Sequence, residues 1–474
     1  MTSKKLTIAG LAAAALAVSG CSDFLTGAGI DDNPNQPSAA TTQQLFVAAQ
    51  AQAFVRQEGQ IARTAAMFTQ QLSGTNNQQK DYGSSYLNTE TAYTNMFSGF
   101  YTGGGLVDWR KIQANSRAAG DQQFEGIAKV WEALQMGTAA SVWGDVPYRE
   151  AVSETATPVL DPQQQVYADV QALLSEAITL LGGTGPGPGT TDLVFGSQPA
   201  SQMARWTRVA YTLKARFHMH TAERLGAPAY QAALAAALNG INEVPTTAQA
   251  VHQQGPGNLL TFHGTTEQEG NLWGQFIVAR SDLAAGQELA TILNRRTGDP
   301  RKAAYFTLVS VDTICTKFAA TAPCIVSANR FGAASTTPSI VATARRPYDF
   351  RQPLVTWEEN QLIIAEAKLA LGDPTAITHV NNVRTSVGLS ALPGPATLAM
   401  IIEEKYIALF QNIEVWNDYK RTCLPALLPA GAPVAKEIPG RLPYGQSERQ
   451  NNPNIPLPNA QPLRNWNDPN PCTS

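Results

Sequence analysis

Pairs of amphipathic helices constrain this chain more than any other feature of its sequence. In residues 362–388, apolar side chains recur every three or four positions, which places them on one face of a helix. The first stripe ends at Gly372, and Asp373-Pro374 then starts a second helix that ends at Gly388. Two antiparallel helices in about 30 residues match the size of a tetratricopeptide unit. The apolar positions are Leu362, Ala365, Leu369, Ile377, Val380, Val383 and Val387.

The same spacing recurs along most of the chain, so we predict a mainly α-helical protein. Residues 73–90 and 182–205 are polar or Gly-rich and predict loops. Residues from about 245 to 350 have short apolar runs and predict loops, short strands and short helices. The sequence has no strict repeat, so any solenoid is a degenerate one. The further helical stripes begin near Leu45, Ile61, Phe124, Val166, Trp206 and Leu398.

The N-terminus has the pattern of a lipoprotein leader. Lys4 and Lys5 precede a short apolar run over residues 6–18, and small residues then lead into Cys21. A membrane span needs roughly 20 apolar residues, so this run predicts a cleaved signal peptide over residues 1–20. A cysteine after small residues is typical of the site that receives a diacylglyceryl group. The alternative is an ordinary secretory signal followed by a chance cysteine.

The rest of the chain predicts one domain behind a tether. Residues 21–40 are rich in Gly, Asn, Pro and Asp and predict a flexible tether. Residues 41–474 then form a single domain, with a loop-rich region at about 245–350. The formal charge of −3 becomes −5 when the two lysines of the leader are removed. The sequence has no basic stripe to neutralise phosphates, which argues against a nucleic-acid partner.

Cysteine usage fits an oxidising compartment. If Cys21 carries lipid, four cysteines remain, and three pairings are possible. Proximity favours Cys315 with Cys324 and Cys423 with Cys472, whereas four buried thiols are the alternative. The sequence has no cysteine–histidine cluster with zinc spacing, so we predict no metal site and no cofactor.

Several segments resemble the SusD/RagB family of outer-membrane lipoproteins, and they occur in the order typical of that family. Together they cover essentially the whole mature chain. The matching segments are WGDVPYREA (143–151), the helix that follows it, ARWTRVAYTLKARFHMH (204–220), GDPRKAAYF (298–306), PLVTWEENQLIIAEAKLALGD (353–373), VNNVRTSVGL (380–389), EEKYIALFQNIEVWNDYKRT (403–422) and IPGRLPYGQSERQNNPN (438–454).

The resemblance implies a fold, a partner and a role. Members of this family are right-handed superhelices of tetratricopeptide-like helix pairs, and a variable loop-rich region carries the ligand site. They cover a TonB-dependent transporter of the SusC/RagA type and bind oligosaccharides or, in some members, peptides. They have no enzymatic activity. We therefore expect a lipid-anchored, surface-exposed outer-membrane protein that delivers a nutrient to such a transporter.

Two polar segments are our candidates for the ligand site, because loops carry recognition on a rigid scaffold. Aromatic rings in polar loops can stack on the apolar face of a sugar, while amides and guanidinium groups bind its hydroxyls. The alternative is that each aromatic side chain anchors its own loop. The candidates are Asn76, Tyr82 and Tyr86 in the segment 73–90, and Asn271, Trp273 and Arg280 in the segment 262–280.

A lipid-anchored surface glycoside hydrolase is the alternative function, and a purely structural lipoprotein is a third. The sequence has no GxSxG, HExxH or Walker motif. Two carboxylates of a glycosidase can lie anywhere in a chain, so the absence of a motif leaves that alternative open. The adjacent acidic pairs Glu358-Glu359 and Glu403-Glu404 diverge by about 100° on a helix and do not face one substrate atom.

Overall fold

The computed structural model describes residues 40–74, 76–274, 276–277, 282–309, 337–341, 343–429 and 437–472. The chain divides into two units, residues 1–45 and residues 46–474. The predicted lipidation site Cys21, the predicted Cys315–Cys324 pair and the candidate Arg280 lie outside the described residues.

From Thr42 to His252, most of the chain is helical, and loops separate the helices. Some helix starts are capped by side chains, as where Asp121 accepts a hydrogen bond from the Phe124 N–H. The elements are α1 (Thr42–Glu58), α2 (Gln60–Phe68), β1 (Leu72–Gly74), α3 (Asn77–Ser84), α4 (Glu90–Gly99), α5 (Leu106–Ala118), α6 (Gln122–Trp143), α7 (Gln163–Leu181), α8 (Gln202–His220), α9 (Ala222–Leu225), α10 (Ala227–Ala237) and α11 (Thr247–His252).

The second half begins with the loop-rich region and returns to helices at Trp357. Short strands form three separate two-stranded antiparallel pairs, β1 with β3, β2 with β6 and β4 with β5. The elements are β2 (Leu259–Leu260), α12 (Leu272–Gly274), β3 (Leu283–Ala285), α13 (Gln287–Arg295), α14 (Arg301–Tyr305), β4 (Phe306–Val309), β5 (Thr337–Val341), β6 (Pro353–Val355), α15 (Trp357–Ala370), α16 (Ala376–Ser386), α17 (Leu398–Ala408), α18 (Glu414–Thr422) and α19 (Gln446–Asn451).

The long helices of residues 46–474 stack in sequence. Helix α5 packs on α6, α6 on α7, α7 on α8, α8 on α10, α10 on α15, and α15 on α16. The prediction of a mainly α-helical protein built from helix pairs is confirmed. Among the described residues, each helix falls short of the length and hydropathy that would let it cross a membrane.

Aromatic side chains fill the space between the early helices. The indoles of Trp109 and Trp131 stack with centroids 5.6 Å apart, and Trp206 meets Trp131 edge-on at 5.6 Å. Phe54 from α1 packs on the same Trp131 ring at 5.8 Å. Trp109, Trp131 and Trp206 are at most 1% exposed, so they belong to the core, as their helical spacing indicates.

A buried ion network joins helices that are distant in sequence. The Arg216 guanidinium on α8 donates two hydrogen bonds of 2.6 Å to Glu359 on α15, and it lies 3.8 Å from Glu414 on α18. The second Glu414 oxygen is 2.7 Å from His220 Nε2. Burial raises the pKa of Glu414, but the charges of His220 and Arg216 outweigh it and hold that pKa below its usual range.

The C-terminal tail is fixed to α18 by a disulfide between Cys423 and Cys472. This confirms one of the two predicted cystine bridges. The tail also inserts polar side chains into the scaffold, as where Asn467 donates to the His220 carbonyl at 3.0 Å. The tail is therefore part of the helical scaffold and not a loose extension of it.

Removing this disulfide should destabilise the protein. The two cysteines are 49 residues apart, and opening a loop of that length lowers the free energy of unfolding by about 4 kcal/mol in the chain-entropy account. Urea denaturation of the Cys423→Ala/Cys472→Ala variant measures this change. A variant that unfolds at the same urea concentration as the wild type would show that the bridge contributes nothing.

Candidate functional site

One buried carboxylate holds the loop that carries several candidate residues. Glu58, the last residue of α1, has no exposed surface. Its Oε1 accepts the Leu272 N–H at 3.0 Å, and its Oε2 lies 3.0 Å from His263 Nε2. The two ends of the segment 263–272 are therefore fixed to the scaffold by the same side chain.

Asn271 joins this loop to the segment that follows β5. Its Oδ1 accepts the N–H of Trp273 at 2.9 Å, its Nδ2 donates to the Phe350 carbonyl at 2.9 Å, and its own N–H donates to the Tyr348 carbonyl at 2.8 Å. Residues 261–274, 276–277 and 343–351 thus form one surface, which we call the loop face.

Two glycines allow Tyr348 to pack closely on the loop. A Cβ atom at Gly270 would lie 2.6 Å from the Tyr348 Cβ, and one at Gly274 would lie 2.9 Å from its Cδ1. Any larger residue would push the ring away from α12. The loop face is therefore packed tightly beneath its exposed rim.

The first predicted ligand segment, 73–90, pairs with a strand that begins just beyond the second segment, 262–280. Strand β1 pairs with β3, with Ser73 opposite Ala284, and Asn77 Nδ2 donates to Asp282 Oδ1 at 3.0 Å. Segment 73–90 is not the loop that its composition predicts, because it forms β1 and α3. Asn76 caps α3 by accepting the Asn77 N–H at 3.0 Å.

Most of the candidate aromatic and amide side chains are buried beneath this surface. Trp273 is 0% exposed and Asn271 is 1% exposed. Tyr82 lies 6.2 Å from the Tyr93 ring, and Tyr86 meets the Phe68 ring edge-on at 5.4 Å. These four side chains hold the loops in place, whereas Asn76 is exposed. Ligand binding by the candidate residues stays a prediction.

Phe262 is an exposed aromatic residue that the sequence reasoning missed. Its side chain is 49% exposed, and the Arg351 guanidinium lies 6.0 Å from its ring centroid. Arg351 is held in turn by donating to the Thr261 carbonyl at 2.8 Å, and burial lowers its pKa. Phe262 directly precedes the polar stretch that contains Trp273. Trp273 was selected as an aromatic residue in a polar loop, and Phe262 meets the same criterion.

A separate cavity of about 420 Å³ lies on the helical scaffold. Its lining is uncharged, and amide and hydroxyl groups of this kind can bind neutral polar ligands. Among the described residues, the structure contains no group of three His, Cys, Asp or Glu side chains that could hold a metal ion. The cavity is lined by Asn242, Val244, Trp357, Gln361, Asn382, Thr385 and Ser386.

The family profile described as "Starch-binding associating with outer membrane" matches residues 34–445. The chain belongs to the SusD-like family. The resemblance found in the sequence is thereby confirmed. The WGDVPY segment of this SusD-like protein serves structure, because Trp143 donates to the Pro443 carbonyl at 3.0 Å and Asp145 accepts the Gln163 N–H at 2.8 Å.

Solved structures show the same fold. A SusD/RagB family protein from Bacteroides thetaiotaomicron is 18% identical and covers 91% of this chain and 98% of its own, with a TM-score of 0.68. A chitin-binding protein is 21% identical, covering 91% and 100% with a TM-score of 0.70. A chitin-binding SusD homologue from Flavobacterium johnsoniae is 18% identical, covering 90% and 97% with a TM-score of 0.66. No curated protein matches the chain.

Trp273 and Phe262 should respond differently to truncation. Because Trp273 is fully buried, Trp273→Ala should lower the free energy of unfolding by about 3–5 kcal/mol. The control Phe262→Ala removes an exposed ring from the same loop and should change stability by about 0.5 kcal/mol or less. Thermal and urea unfolding measure both. Unchanged stability of Trp273→Ala together with weaker ligand binding would instead support the stacking role predicted from the sequence.

Proposed function

We propose that this SusD-like protein binds oligosaccharides on the loop face and that the Phe262 ring stacks on a sugar. The exposed phenyl group on a loop fixed to a rigid scaffold is the observation that carries the proposal. The apolar C–H face of a pyranose packs on an aromatic ring, and polar side chains around it bind the hydroxyls. Exposed Thr265, Thr266 and Gln268 supply such groups on the same loop.

The comparisons favour an oligosaccharide over a peptide as the ligand. The family is described as starch-binding, and two of the similar structures are described as chitin-binding. An α-glucan and a chitin oligomer both present the faces and hydroxyls that the loop face can bind. A peptide is the alternative ligand, and it would be bound by the same exposed ring without a requirement for sugar stereochemistry.

Phe262→Ala should weaken oligosaccharide binding without affecting stability. We expect a dissociation constant on the order of micromolar to millimolar, because an exposed face exchanges hydrogen bonds with water. Loss of one stacking ring should cost about 1–3 kcal/mol, if base stacking on aromatics is a fair guide. Isothermal titration calorimetry with malto-oligosaccharides and chito-oligosaccharides measures this loss.

The scaffold cavity provides the matched control for this experiment. Asn382→Ala removes an exposed amide from the cavity and should leave binding unchanged. If Asn382→Ala weakens binding while Phe262→Ala does not, the ligand binds in the cavity and the loop face is the wrong site. If a peptide library binds and both oligosaccharides fail, the ligand class is wrong.

We also propose that the protein binds its ligand without turning it over. The acidic pairs that a hydrolase could have used take part in structural contacts. Glu359 pairs with Arg216 at 2.6 Å, and Glu404 pairs with Arg301 at 2.7 Å. Burial raises the pKa of Glu358 to about 7, and Asn258 donates to this carboxyl group at 3.4 Å. These contacts support a binding role for the protein.

The anchoring and the delivery step complete the proposal. A lipid on Cys21 would hold the protein on the outer membrane through the tether of residues 21–40. Ligand captured on the loop face would then pass to a TonB-dependent transporter of the SusC type. Family membership supports both steps, and the family is described as associating with the outer membrane.

Extraction of native membranes tests the anchor and the partner together. Wild-type protein extracted in mild detergent should co-purify with a β-barrel protein of roughly twice its size. Cys21→Ala should appear in the soluble fraction or remain unprocessed, because it has no site for the lipid. Wild-type protein that is repeatedly isolated alone would count against the partner, and a fully membrane-bound Cys21→Ala would count against the anchor.

A further inference from the structure

Arg345 lies inside a cage of aromatic rings. It is 1% exposed and ends the short helical turn Thr343–Arg345. Its guanidinium carbon lies 4.7 Å from the Phe350 ring centroid and 5.2 Å from those of Tyr305 and Phe410. The rings surround the centre of the charge, and the one hydroxyl among them, on Tyr305, donates to the Ile407 carbonyl at 3.1 Å.

Most N–H groups of the Arg345 guanidinium have no hydrogen-bond acceptor. Its Nε donates to Gln411 Oε1 at 3.1 Å, whereas Nη1 and Nη2 make no hydrogen bond. Across the described ranges, no carboxylate forms an ion pair with this guanidinium. The buried guanidinium groups of Arg216, Arg301 and Arg421 differ in this respect, because each pairs with a carboxylate.

Arg345 nevertheless carries its charge at neutral pH. Burial lowers its pKa to about 10, which leaves the guanidinium protonated at pH 7. The neighbouring His252 adds no second charge, because burial and the charge of Arg345 lower the pKa of this imidazole to about 4. A buried charge without an ionic partner is unfavourable, so a counter-charge would stabilise this guanidinium.

Gln411 has a second buried donor group near this guanidinium. Its side chain is 2% exposed and its backbone has a positive φ of 68°. The amide oxygen accepts from Arg345, and the amide nitrogen, bonded to the same carbon atom, lies near the guanidinium. That Nε2 also has no hydrogen-bond partner. If the oxygen and nitrogen of the Gln411 amide were exchanged, its Nε2 would face the Nε–H of Arg345, and two donors would oppose each other. Unpaired donors of both side chains therefore lie near one another.

We propose that Arg345 and Gln411 form a buried site for a small monovalent anion of the halide class. The anion accepts hydrogen bonds from the Nη groups of Arg345 and from Gln411 Nε2. The burial of both side chains restricts the occupant to an ion of about the size of water, and the charge distinguishes a halide from water. Because Arg345 lies in the loop-rich region and Gln411 lies between α17 and α18, the bound anion fastens that region to the scaffold.

Crystals soaked in sodium bromide locate the anion directly. An anomalous difference peak should appear within hydrogen-bond distance of the Arg345 Nη groups and Gln411 Nε2. Thermal unfolding of the mature protein provides the solution measurement, in chloride and in gluconate at the same ionic strength. At a hundredfold excess over the dissociation constant, chloride should raise the melting temperature by about 3 °C.

Two variants at the site separate specific binding from general salt effects. Arg345→Met should lose the chloride dependence, whereas the control Arg149→Met, which breaks an exposed pair with Asp169, should keep it. Gln411→Glu places a carboxylate beside Arg345. This variant should melt at a higher temperature in gluconate and respond little to chloride, and it remains informative if Arg345→Met fails to fold.

Three results would overturn the proposal. The first is an identical melting temperature of the wild type in chloride and gluconate. The second is the absence of a bromide peak beside Arg345, which would leave a water molecule as the occupant. The third is a Gln411→Glu variant that responds to chloride as strongly as the wild type.

Discussion

The buried pairing of Arg216 with Glu359 and Glu414 is the constraint on which the scaffold depends. These three residues come from α8, α15 and α18, which lie far apart in sequence. Removing one partner of such a pair leaves a buried charge uncompensated and typically costs about 3–5 kcal/mol. Packed apolar surfaces can shift relative to one another at a small cost in free energy, whereas a shift that separates these charges is costly. The network therefore fixes the register between the early and the late helix pairs, and the loops are displayed from that fixed frame.

Several residues in the segments that reveal the family make structural contacts. In the WGDVPY segment, Trp143 and Asp145 hold the C-terminal tail and the start of α7. In α15, which lies in the matching segment 353–373, Glu366 pairs with Arg421 at 2.9 Å. Side chains of this kind predict the fold of the chain. They do not predict which ligand the protein binds. Family membership could therefore be predicted readily from the sequence, whereas the ligand site could not.

The helices and one disulfide were predictable because their causes are local. Apolar spacing identified the helix pair at 362–388, and proximity in sequence identified Cys423 with Cys472. The exposure of aromatic residues in the loops depends on a contact with a residue that is distant in sequence. Glu58 reaches 214 residues along the chain to hold the backbone beside Trp273, which buries that indole and leaves Phe262 exposed. Composition cannot distinguish two rings in neighbouring polar sequence when the deciding contact lies in another helix.

The single carboxylate that holds both ends of the segment 263–272 has a consequence for how binding specificity can diverge. Between those ends, residues 265–269 are exposed, and the Gly264 N–H closes the loop on itself by donating to the Glu269 carbonyl. Insertions or substitutions there leave the attachment points on Glu58 unchanged. Residues 265–269 are thus an exchangeable module, and replacing them could give the proposed binding face a new preference without remodelling the helices that support it.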